Sequence, residues 1–553
     1  MTATPFHVYD TTLRDGAQQE GMNLSVADKL AIAPLLDELG VGFIEGGWPG
    51  AVPKDTEFFR RAAKELTLRN AELAAFGATR KAGTRAWNDP QVRALLDSEA
   101  PVVTLVAKSD VRHVERALRT TPDEGLAMIA DTVAFLVGEG RRVVVDAEHF
   151  FDGYRFDPAY ARAAAEAAFE AGAEVVALCD TNGGMLPHWV TDVVSEVRAS
   201  LGVPHGRDAV AGDRVLGVHA HNDSGCAVAN TLAAVEAGAW HVQGTVNGYG
   251  ERTGNVDLVT VVANLELKHG LRTLVGHGLE EATRISHAVA EITNIAPYAR
   301  QPYVGASAFA HKAGLHASAI KVDPDLYQHI DPTAVGNDMR MLVSDMAGRA
   351  SIELKGRELG YDLSGQGELL TRVTTRVKDA EAQGYTFDAA DASFELLLRE
   401  ELTGTRQHYF RVESWRTIVE TVSGGPGHDP AHDAANRDAD AVAEATVKLH
   451  AGGERVVATG EGNGPVNALD QALRSALTRV YPQIEKFELI DFKVRILDAQ
   501  QGTDATTRVL VETTDGQHAW STVGVGPNVI EAAWESLIDA YVYGLLHAGV
   551  EPR

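Results

Sequence analysis

The chain contains little cysteine and few positive charges, and each shortage excludes a class of protein. Only two cysteines, Cys179 and Cys226, occur in 553 residues. This excludes a disulfide-stapled fold and any all-cysteine metal or iron–sulfur site. Lysine and arginine number 50 against 77 aspartates and glutamates, which gives a net charge of −27. Because that charge repels phosphate backbones and anionic lipid, we expect no nucleic-acid or membrane partner, whereas an anionic small substrate is still compatible.

Long hydrophobic runs and targeting signals are also missing. No uninterrupted apolar stretch reaches about 18 residues, so we expect no segment to span a bilayer. The first residues, MTATPFHVYDTTLRDG, lack the basic start and the apolar stretch of a signal peptide. With 45% apolar and 23% charged residues, the sequence predicts a soluble cytoplasmic protein with several buried cores.

Eight short β-rich runs alternate with helical patterns between residue 6 and about residue 270. The runs read HVYDTT, VGFIEGG, ELAAFGAT, PVVTLVAK, RRVVVDAE, EVVALCDT, RVLGVHAH and HVQGTVNG. Largely apolar strands separated by helices are typical of a parallel sheet covered on its outer face. Eight such units match the size of a (β/α)8 TIM barrel. An open doubly wound sheet is the structural alternative, but TTLRDGAQQEG after the first strand is not its glycine-rich phosphate loop.

The sequence predicts four segments along the chain. Residues 1–275 form the barrel, and residues 276–422 lose the β/α alternation and form small helical subdomains attached to the barrel. Residues 423–441 are rich in Gly, Pro, Asp and Asn, which predicts a flexible linker. Residues 442–553 form the last domain, which contains an internal repeat.

In the repeat, the run GNGP recurs as GVGP 62 residues later. Each copy follows two β-like runs and precedes a helical pattern, which predicts a pseudo-symmetric α+β domain. A Gly-x-Gly-Pro turn that enters a helix can bind an anionic group at the helix N-terminus, although its glycines can also serve only a tight turn. The candidate effector-binding residues are Gly462, Gly464, Gly524 and Gly526.

Two histidines at the end of the seventh predicted strand are the sharpest chemical signal. Side chains alternate along a strand, so His219 and His221 point to the same side and can converge on one metal ion. Asp15 after strand one and Asn255 after strand eight can supply oxygen ligands, because these strands are neighbours in a closed barrel. This mixed ligand set suits Mg²⁺, Mn²⁺, Co²⁺ or Zn²⁺, and the sequence does not choose among them.

Other polar residues lie at the same carboxyl ends of the predicted strands, where TIM-barrel active sites form. Arg14 is either an oxyanion stabiliser beside the metal or one half of a surface ion pair. Asp146 and Glu148 share one side of strand five, so one can act as acid or base and the other as a hydrogen-bond anchor for substrate. Thr181 has a weaker signal, because a threonine at a strand end is more often structural.

Three motifs in order resemble those of a known family. The runs DTTLRDG at 10–16, HAHND at 219–223 and GYGERTGN at 248–255 together resemble the DRE-TIM metallolyases. That family includes 2-isopropylmalate synthase, homocitrate synthase, citramalate synthase and hydroxymethylglutaryl-CoA lyase. The repeated C-terminal domain resembles the leucine/isoleucine-responsive domain of the synthases, which the lyases lack. Within the synthases, the runs at 44–50 and 343–349 are most similar to the citramalate synthase branch.

The resemblance assigns roles residue by residue. It implies four metal ligands: Asp15, His219, His221 and Asn255. It implies a catalytic Arg14, an active-site Glu148 and a substrate-contacting Thr181. In the helical region it implies a catalytic histidine and a tyrosine partner, His316 and Tyr327, which the family usually delivers from the other subunit of a homodimer. His311 is close enough in sequence to be the alternative catalytic histidine.

The activity implied by the resemblance is a Claisen-type condensation of acetyl-CoA with pyruvate, which releases citramalate and CoA. Isoleucine is the expected effector, because citramalate feeds a route to isoleucine. Trp48 at the end of strand two either narrows the pocket for the 2-oxo acid or packs under a loop. The alternatives are the same chemistry on 2-oxoisovalerate or 2-oxoglutarate, a non-catalytic amino-acid sensor and a retro-aldol lyase.

Overall fold

The computed structural model describes four stretches of the chain: residues 4–276, 278–420, 442–497 and 505–553. The predicted linker at 423–441 lies outside the described residues. The chain divides into two compact units. The first comprises Met1–Phe309 and Ile330–Asp338, and the second comprises Ala310–His329 and Met339–Arg553. The first unit therefore continues beyond residue 275, where the sequence placed the end of the barrel.

The first unit contains a closed barrel of eight parallel strands, which confirms the predicted (β/α)8 fold. All eight predicted runs form strands: β1 (His7–Asp10), β2 (Phe43–Gly47), β3 (Glu72–Ala78), β4 (Val102–Lys108), β5 (Arg142–Glu148), β6 (Val175–Asp180), β7 (Val215–Ala220) and β8 (His241–Gly244). Strand β1 pairs with both β2 and β8, so the sheet has no free edge.

Helices follow the strands and cover the barrel. They are α1 (Val26–Leu39), α2 (Pro53–Glu65), α3 (Pro90–Asp97), α4 (Val111–Arg116), α5 (Pro122–Gly138), α6 (Phe150–Phe156), α7 (Pro158–Glu170), α8 (Pro187–Ser200), α9 (Ala227–Glu236), α10 (Leu258–Leu267) and α11 (Ala282–Thr293). Helix α1 shows the local logic. Ser25 and Asp28 form a capping box at its start, and Gly40 ends it with φ +91°, where a side chain would be strained.

The second unit begins with short helical segments. Its first elements are β9 (Ala310–His311), α12 (Gly314–Ile320), β10 (Arg340–Met341), α13 (Arg349–Glu358), α14 (Gly367–Ala382) and α15 (Asp391–Thr403). Strands β9 and β10 pair in parallel over two residues each. A small apolar cluster that includes Val373, Phe387 and Phe394 packs α14 against α15.

The predicted pseudo-symmetric domain is present, with one more strand in each half than the sequence indicated. The first half is β11 (Phe410–Glu420), β12 (Val442–Ala451), β13 (Glu454–Gly462) and α16 (Pro465–Leu477). The second half is β14 (Glu488–Ile496), β15 (Thr507–Thr514), β16 (Ala519–Gly526) and α17 (Val529–His547). Each half is a three-stranded antiparallel sheet followed by a helix. Strand β11 lies in a stretch that the sequence assigned to helical subdomains.

The structure pairs the residues of the two halves differently from the 62-residue offset of the Gly-x-Gly-Pro runs. A Cβ on Gly460 would lie 2.6 Å from the Ala468 carbonyl oxygen, and one on Gly524 would lie 2.0 Å from that of Ala532. Both glycines therefore let the last strand of the half approach its helix. The paired positions are 64 residues apart, so Gly524 corresponds to Gly460 and not to Gly462.

None of the helices in the described segments combines the length and the apolar character that a bilayer crossing requires.

Candidate active site

A carboxylate and two imidazoles converge at the carboxyl end of the barrel. The Nε2 atom of His219 lies 3.2 Å from Oδ2 of Asp15, and the Nε2 atom of His221 lies 3.8 Å from the same oxygen. All three residues are buried. Parallel pairing of β1 with β8 and of β8 with β7 brings the segment after β1 to the end of β7. The structure thus assembles three of the four predicted metal ligands.

The chemistry of this donor set fits a divalent cation. Burial alone would raise the pKa of Asp15, but Arg14 and the two imidazoles hold it well below its usual range. Burial and the neighbouring His219 lower the pKa of His221 to about 4, which favours the neutral imidazole that a metal needs. The remaining predicted ligand, Asn255, forms a backbone bridge with His221, and its buried Oδ1 accepts no hydrogen bond from any described residue. Such an orphaned oxygen is what a further ligand would offer.

Arg14 is anchored beside the cluster on three sides. Its Nε donates to Oε2 of Glu45 at 2.6 Å, its Nη1 lies 3.5 Å from Asp15, and its guanidinium carbon lies 3.8 Å from the ring centre of Phe76. Burial opposes the charged form, yet Glu45 and Asp15 raise the pKa of Arg14 above its ordinary value. Arg14 is therefore a fixed cation in the site and not a surface ion pair.

The interior of the barrel below the cluster is polar. The Tyr9 hydroxyl donates to Glu45 at 2.9 Å and contacts the Thr104 hydroxyl at 2.6 Å. Gln243 bridges two predicted site residues, because its side chain contacts both His219 and Asp146 at 2.7 Å. Burial and Glu45 raise the pKa of Asp146 to about 7. Asp146 thus contacts a residue that holds His219.

Glu148 and Thr181 are exposed to the same cavity. The carboxylate of Glu148 forms an ion pair with Lys108. The Thr181 hydroxyl accepts a hydrogen bond from the backbone N–H of His149 at 2.8 Å. A cavity of about 430 Å³ contains the barrel site. Its lining includes Arg14, Asp15, Trp48, Phe76, Lys108, Asp146, Glu148, Thr181, His219 and His221.

The two remaining catalytic candidates lie together in the second unit. His316 on α12 stacks on Tyr327, with ring centres 4.1 Å apart and planes at 27°. His311 lies 6.2 Å from His316, and burial lowers the pKa of His311. The stack favours His316 over His311 as the partner of Tyr327. Their catalytic roles stay predictions.

The four candidate effector glycines have unequal surroundings. Gly464 lines a cavity of about 690 Å³ at the start of α16. A Cβ on Gly462 would collide with the Asn467 side chain at 2.2 Å, and Gly524 packs against α17. Gly526 is the last residue of β16, just before the turn into α17, and does not line that cavity. The geometry therefore favours a ligand position at the first turn only.

Sequence reasoning did not single out Gln243, Lys108 or Phe76. Each lies on a barrel strand, and the backbone pairing of the sheet directs its side chain toward residues far away in the chain. The available signal was a polar residue inside an otherwise apolar buried strand, as in HVQG. For Phe76 the sequence carried no signal of contact with Arg14.

The closed barrel and the buried carboxylate–imidazole cluster beside a fixed arginine define a TIM-barrel protein with a candidate divalent-metal site. The family model described as HMGL-like matches residues 6–289. The model for the homocitrate synthase post-HMGL domain matches residues 303–385, and that for the LeuA allosteric (dimerisation) domain matches residues 388–545. The chain belongs to the HMGL-like family and, within it, groups with the (R)-citramalate synthases.

Curated relatives support this grouping over the full length. The (R)-citramalate synthase of Streptomyces coelicolor is 63% identical and is covered over 100% of both chains. That of Synechocystis sp. is 48% identical over 98% of this chain and 96% of its own. The 2-isopropylmalate synthase of Synechococcus sp. is more distant, at 30% identity over 99% of this chain and 97% of its own.

Replacing His219 by Ala removes one converging imidazole and leaves the surrounding strands paired. We expect metal affinity to fall by more than the roughly 10–100-fold that loss of an outer contact costs, with the circular dichroism spectrum unchanged. Titration with Mn²⁺ followed by paramagnetic resonance measures the affinity. His188→Ala, which changes an exposed histidine on α8, is the control. Wild-type affinity in His219→Ala would remove this cluster as the metal site.

Proposed function

We propose that the chain condenses acetyl-CoA with pyruvate and releases (R)-citramalate and CoA. The carrying observation is one cavity in which Arg14 lies 3.5 Å from Asp15, itself in contact with His219. The relatives named (R)-citramalate synthase cover the whole chain and are more similar to it than the 2-isopropylmalate synthase above. That ranking supports pyruvate over a longer 2-oxo acid.

Four residues would hold the cation: Asp15, His219, His221 and Asn255. When bound there, Mg²⁺, Mn²⁺, Co²⁺ or Zn²⁺ supplies Lewis-acid polarisation of the keto group. Arg14 attracts the carboxylate and keto oxygens of the 2-oxo acid and stabilises the negative charge that forms on the keto oxygen. Because Glu45 and Phe76 hold the guanidinium in place, this stabilisation needs little rearrangement during the reaction.

Other residues of the chain handle protons and orient the substrates. Glu148 and its partner Lys108 lie at the cavity wall, where an acid or base can reach bound substrate. Thr181 lies at the same wall and can contact the substrate carboxylate. We assign removal of the acetyl-CoA methyl proton to His316 with Tyr327, because that stack is the arrangement the family resemblance implies. The resulting enolate attacks the keto carbon of pyruvate and forms the new carbon–carbon bond of citramalyl-CoA. Water then cleaves the thioester, which releases (R)-citramalate and CoA.

An aromatic wall limits the space for the 2-oxo acid. Trp48 lines the cavity, meets Phe76 edge to face at 5.3 Å, and donates from its indole N–H to Gln91 at 2.9 Å. The hydrogen bond holds the indole in place. A fixed indole at this position favours the methyl group of pyruvate over the branched group of 2-oxoisovalerate.

Substrate choice is tested by CoA release with acetyl-CoA and three acceptors: pyruvate, 2-oxoisovalerate and 2-oxoglutarate. We expect the highest kcat/KM for pyruvate. Trp48→Ala should shift the ratio toward 2-oxoisovalerate by roughly tenfold or more, because pocket contacts of this size contribute about 1–3 kcal/mol. Trp87→Ala, an exposed tryptophan, is the control. If the wild-type kcat/KM is higher for 2-oxoisovalerate, pyruvate is not the preferred acceptor. If CoA is released with none of the three acceptors, the alternative of a non-catalytic amino-acid sensor is favoured.

An uncovered apolar row supports a homodimer formed through the C-terminal domain. Helix α17 packs on β15 and β16. On β14, Phe492, Val494 and Ile496 lie on the face that α17 covers elsewhere, because Val494 pairs with the buried Val509. These three side chains are nevertheless between 37% and 56% exposed. A second copy of the chain is the occupant that matches a domain described as dimerising.

A shared active site predicts complementation between inactive chains. Mixing Arg14→Ala with His316→Ala should restore activity, because one of the two sites in a heterodimer is then complete. The change Val494→Asp in both chains should prevent the recovery and weaken the dimer roughly 10–100-fold. Lys493→Asp, on the opposite face of the same strand, is the control. No recovery in heterodimers shown to form would contradict delivery by the partner.

Isoleucine is the proposed effector, bound at the start of α16. The N-cap of α16 is Gly464, which offers no side-chain cap, so the first N–H groups of the helix can hold a carboxylate. In the second half, Asn528 occupies the equivalent position, and its side chain accepts from the Ile530 N–H at 2.8 Å. Val466 lines the cavity and offers an apolar surface to the effector side chain.

Introducing a carboxylate near the start of each helix tests which half of the domain binds the effector. Gly464→Glu should raise the isoleucine concentration for half-inhibition by tenfold or more, because its carboxylate would compete with that of the effector for the N-terminus of α16. Gly464 has an extended backbone and open space around it, so the side chain fits. Gly526→Glu, which adds a carboxylate near the start of α17 in the other half, is the control and should keep wild-type sensitivity. A wild-type enzyme insensitive to isoleucine, leucine and valine would end the regulatory proposal.

A further inference from the structure

We propose that Gln243 is a positioning residue that fixes the tautomer and orientation of His219 as a metal ligand. The inference rests on the metal site of the proposed function and not on the identity of the 2-oxo acid. Gln243 lies in the barrel interior and is not part of the cavity lining. Among the described residues, its side chain forms hydrogen bonds with two residues of that lining, His219 and Asp146.

The barrel register places Gln243 directly beside His219. Strands β7 and β8 pair so that His219 and Gln243 are partners, and both side chains are buried. The Nδ1 atom of His219 lies 2.7 Å from the Gln243 amide oxygen. An amide oxygen can only accept, so this contact requires a proton on Nδ1.

That proton decides what the other nitrogen can do. A neutral imidazole carries one N–H, so a proton on Nδ1 leaves the lone pair on Nε2. Nε2 is the nitrogen that faces Asp15 at 3.2 Å, in the centre of the cluster. The tautomer set by Gln243 is therefore the one that can coordinate a cation shared with Asp15.

The orientation of the amide is itself fixed from the far side. The Gln243 NH2 group donates to Oδ1 of Asp146 at 2.7 Å and lies 3.3 Å from Nε2 of His241. If the amide turned over, its oxygen would face the Asp146 carboxylate and its NH2 would face His219. The first of these contacts would set the amide oxygen against the ionised carboxylate, so the present orientation is favoured while Asp146 is charged.

His221 provides the internal contrast. Its Nδ1 is buried and has no hydrogen-bond partner among the described residues. Nothing in the described residues fixes its tautomer as Gln243 fixes that of His219. The two imidazoles therefore differ in their outer contacts: His219 has a hydrogen-bond partner at Nδ1, and His221 has none among the described residues.

Metal affinity tests this role without substrate. Gln243→Met keeps the side-chain length and removes the acceptor, so we expect Mn²⁺ and Co²⁺ to bind 10–100-fold more weakly. Gln243→Glu combined with Asp146→Asn keeps an acceptor for the Nδ1 proton without setting two carboxylates in contact, and should retain affinity within roughly tenfold of the wild type. Thr104→Val is the control, since it removes a buried hydroxyl of the same interior that contacts Tyr9 and not His219.

Wild-type affinity in folded Gln243→Met would overturn the proposal. If that variant does not fold, the wild-type protein decides through ¹⁵N-histidine spectra of the Zn²⁺-loaded form, with His219 assigned by loss of its signal in His219→Ala. We expect a protonated Nδ1 and a coordinated Nε2, and the opposite tautomer would overturn the proposal. Because neither measurement uses acetyl-CoA or a 2-oxo acid, failure of the proposed reaction would leave the result unaffected.

Discussion

Closure of the barrel between β1 and β8 is the constraint on which the candidate site depends. The parallel register pairs His7 with His241 and Asp10 with Gly244, at opposite ends of the barrel sequence. It brings Arg14 and Asp15, which follow β1, beside the histidines of β7. Without this long-range pairing, the motif after β1 would be an exposed loop with no imidazole near its carboxylate.

The candidate site contains positively charged side chains although the chain as a whole is strongly negative. The chain as a whole has a net charge of −27. The cavity nevertheless contains Arg14, Lys108 and Arg252, each held by a carboxylate: Glu45, Glu148 and Asp223 respectively. The same lining contains the carboxylates of Asp15, Asp146, Glu148 and Glu251, so an anionic 2-oxo acid would be held by close contact with an individual cation such as Arg14 and not by the net charge of the cavity.

Internal duplication has produced two halves with different capacities in the C-terminal domain. Both halves use a glycine, Gly460 or Gly524, to bring the last strand against its helix. They differ four residues further along the chain, at the N-cap of the helix. Gly464 provides no side-chain cap for α16, whereas Asn528 caps α17 with its own side chain. A shared scaffold therefore fixes the packing, and the two halves differ in whether the N-cap residue caps its helix with a side chain.

The sequence by itself determined the barrel, because eight apolar runs separated by helices admit few other arrangements. It indicated His219 and His221 through strand periodicity, and Asp15 through the position of strand one beside strands seven and eight in a closed barrel. It missed β11, β14 and the 64-residue equivalence, because partly exposed strands lack a continuous apolar pattern and the turn motif shifted by two residues. Only the tertiary structure decided that Glu45 and Phe76 anchor Arg14 and that Gln243 contacts His219. These contacts follow from strand register, which joins residues far apart in the chain and leaves no local pattern.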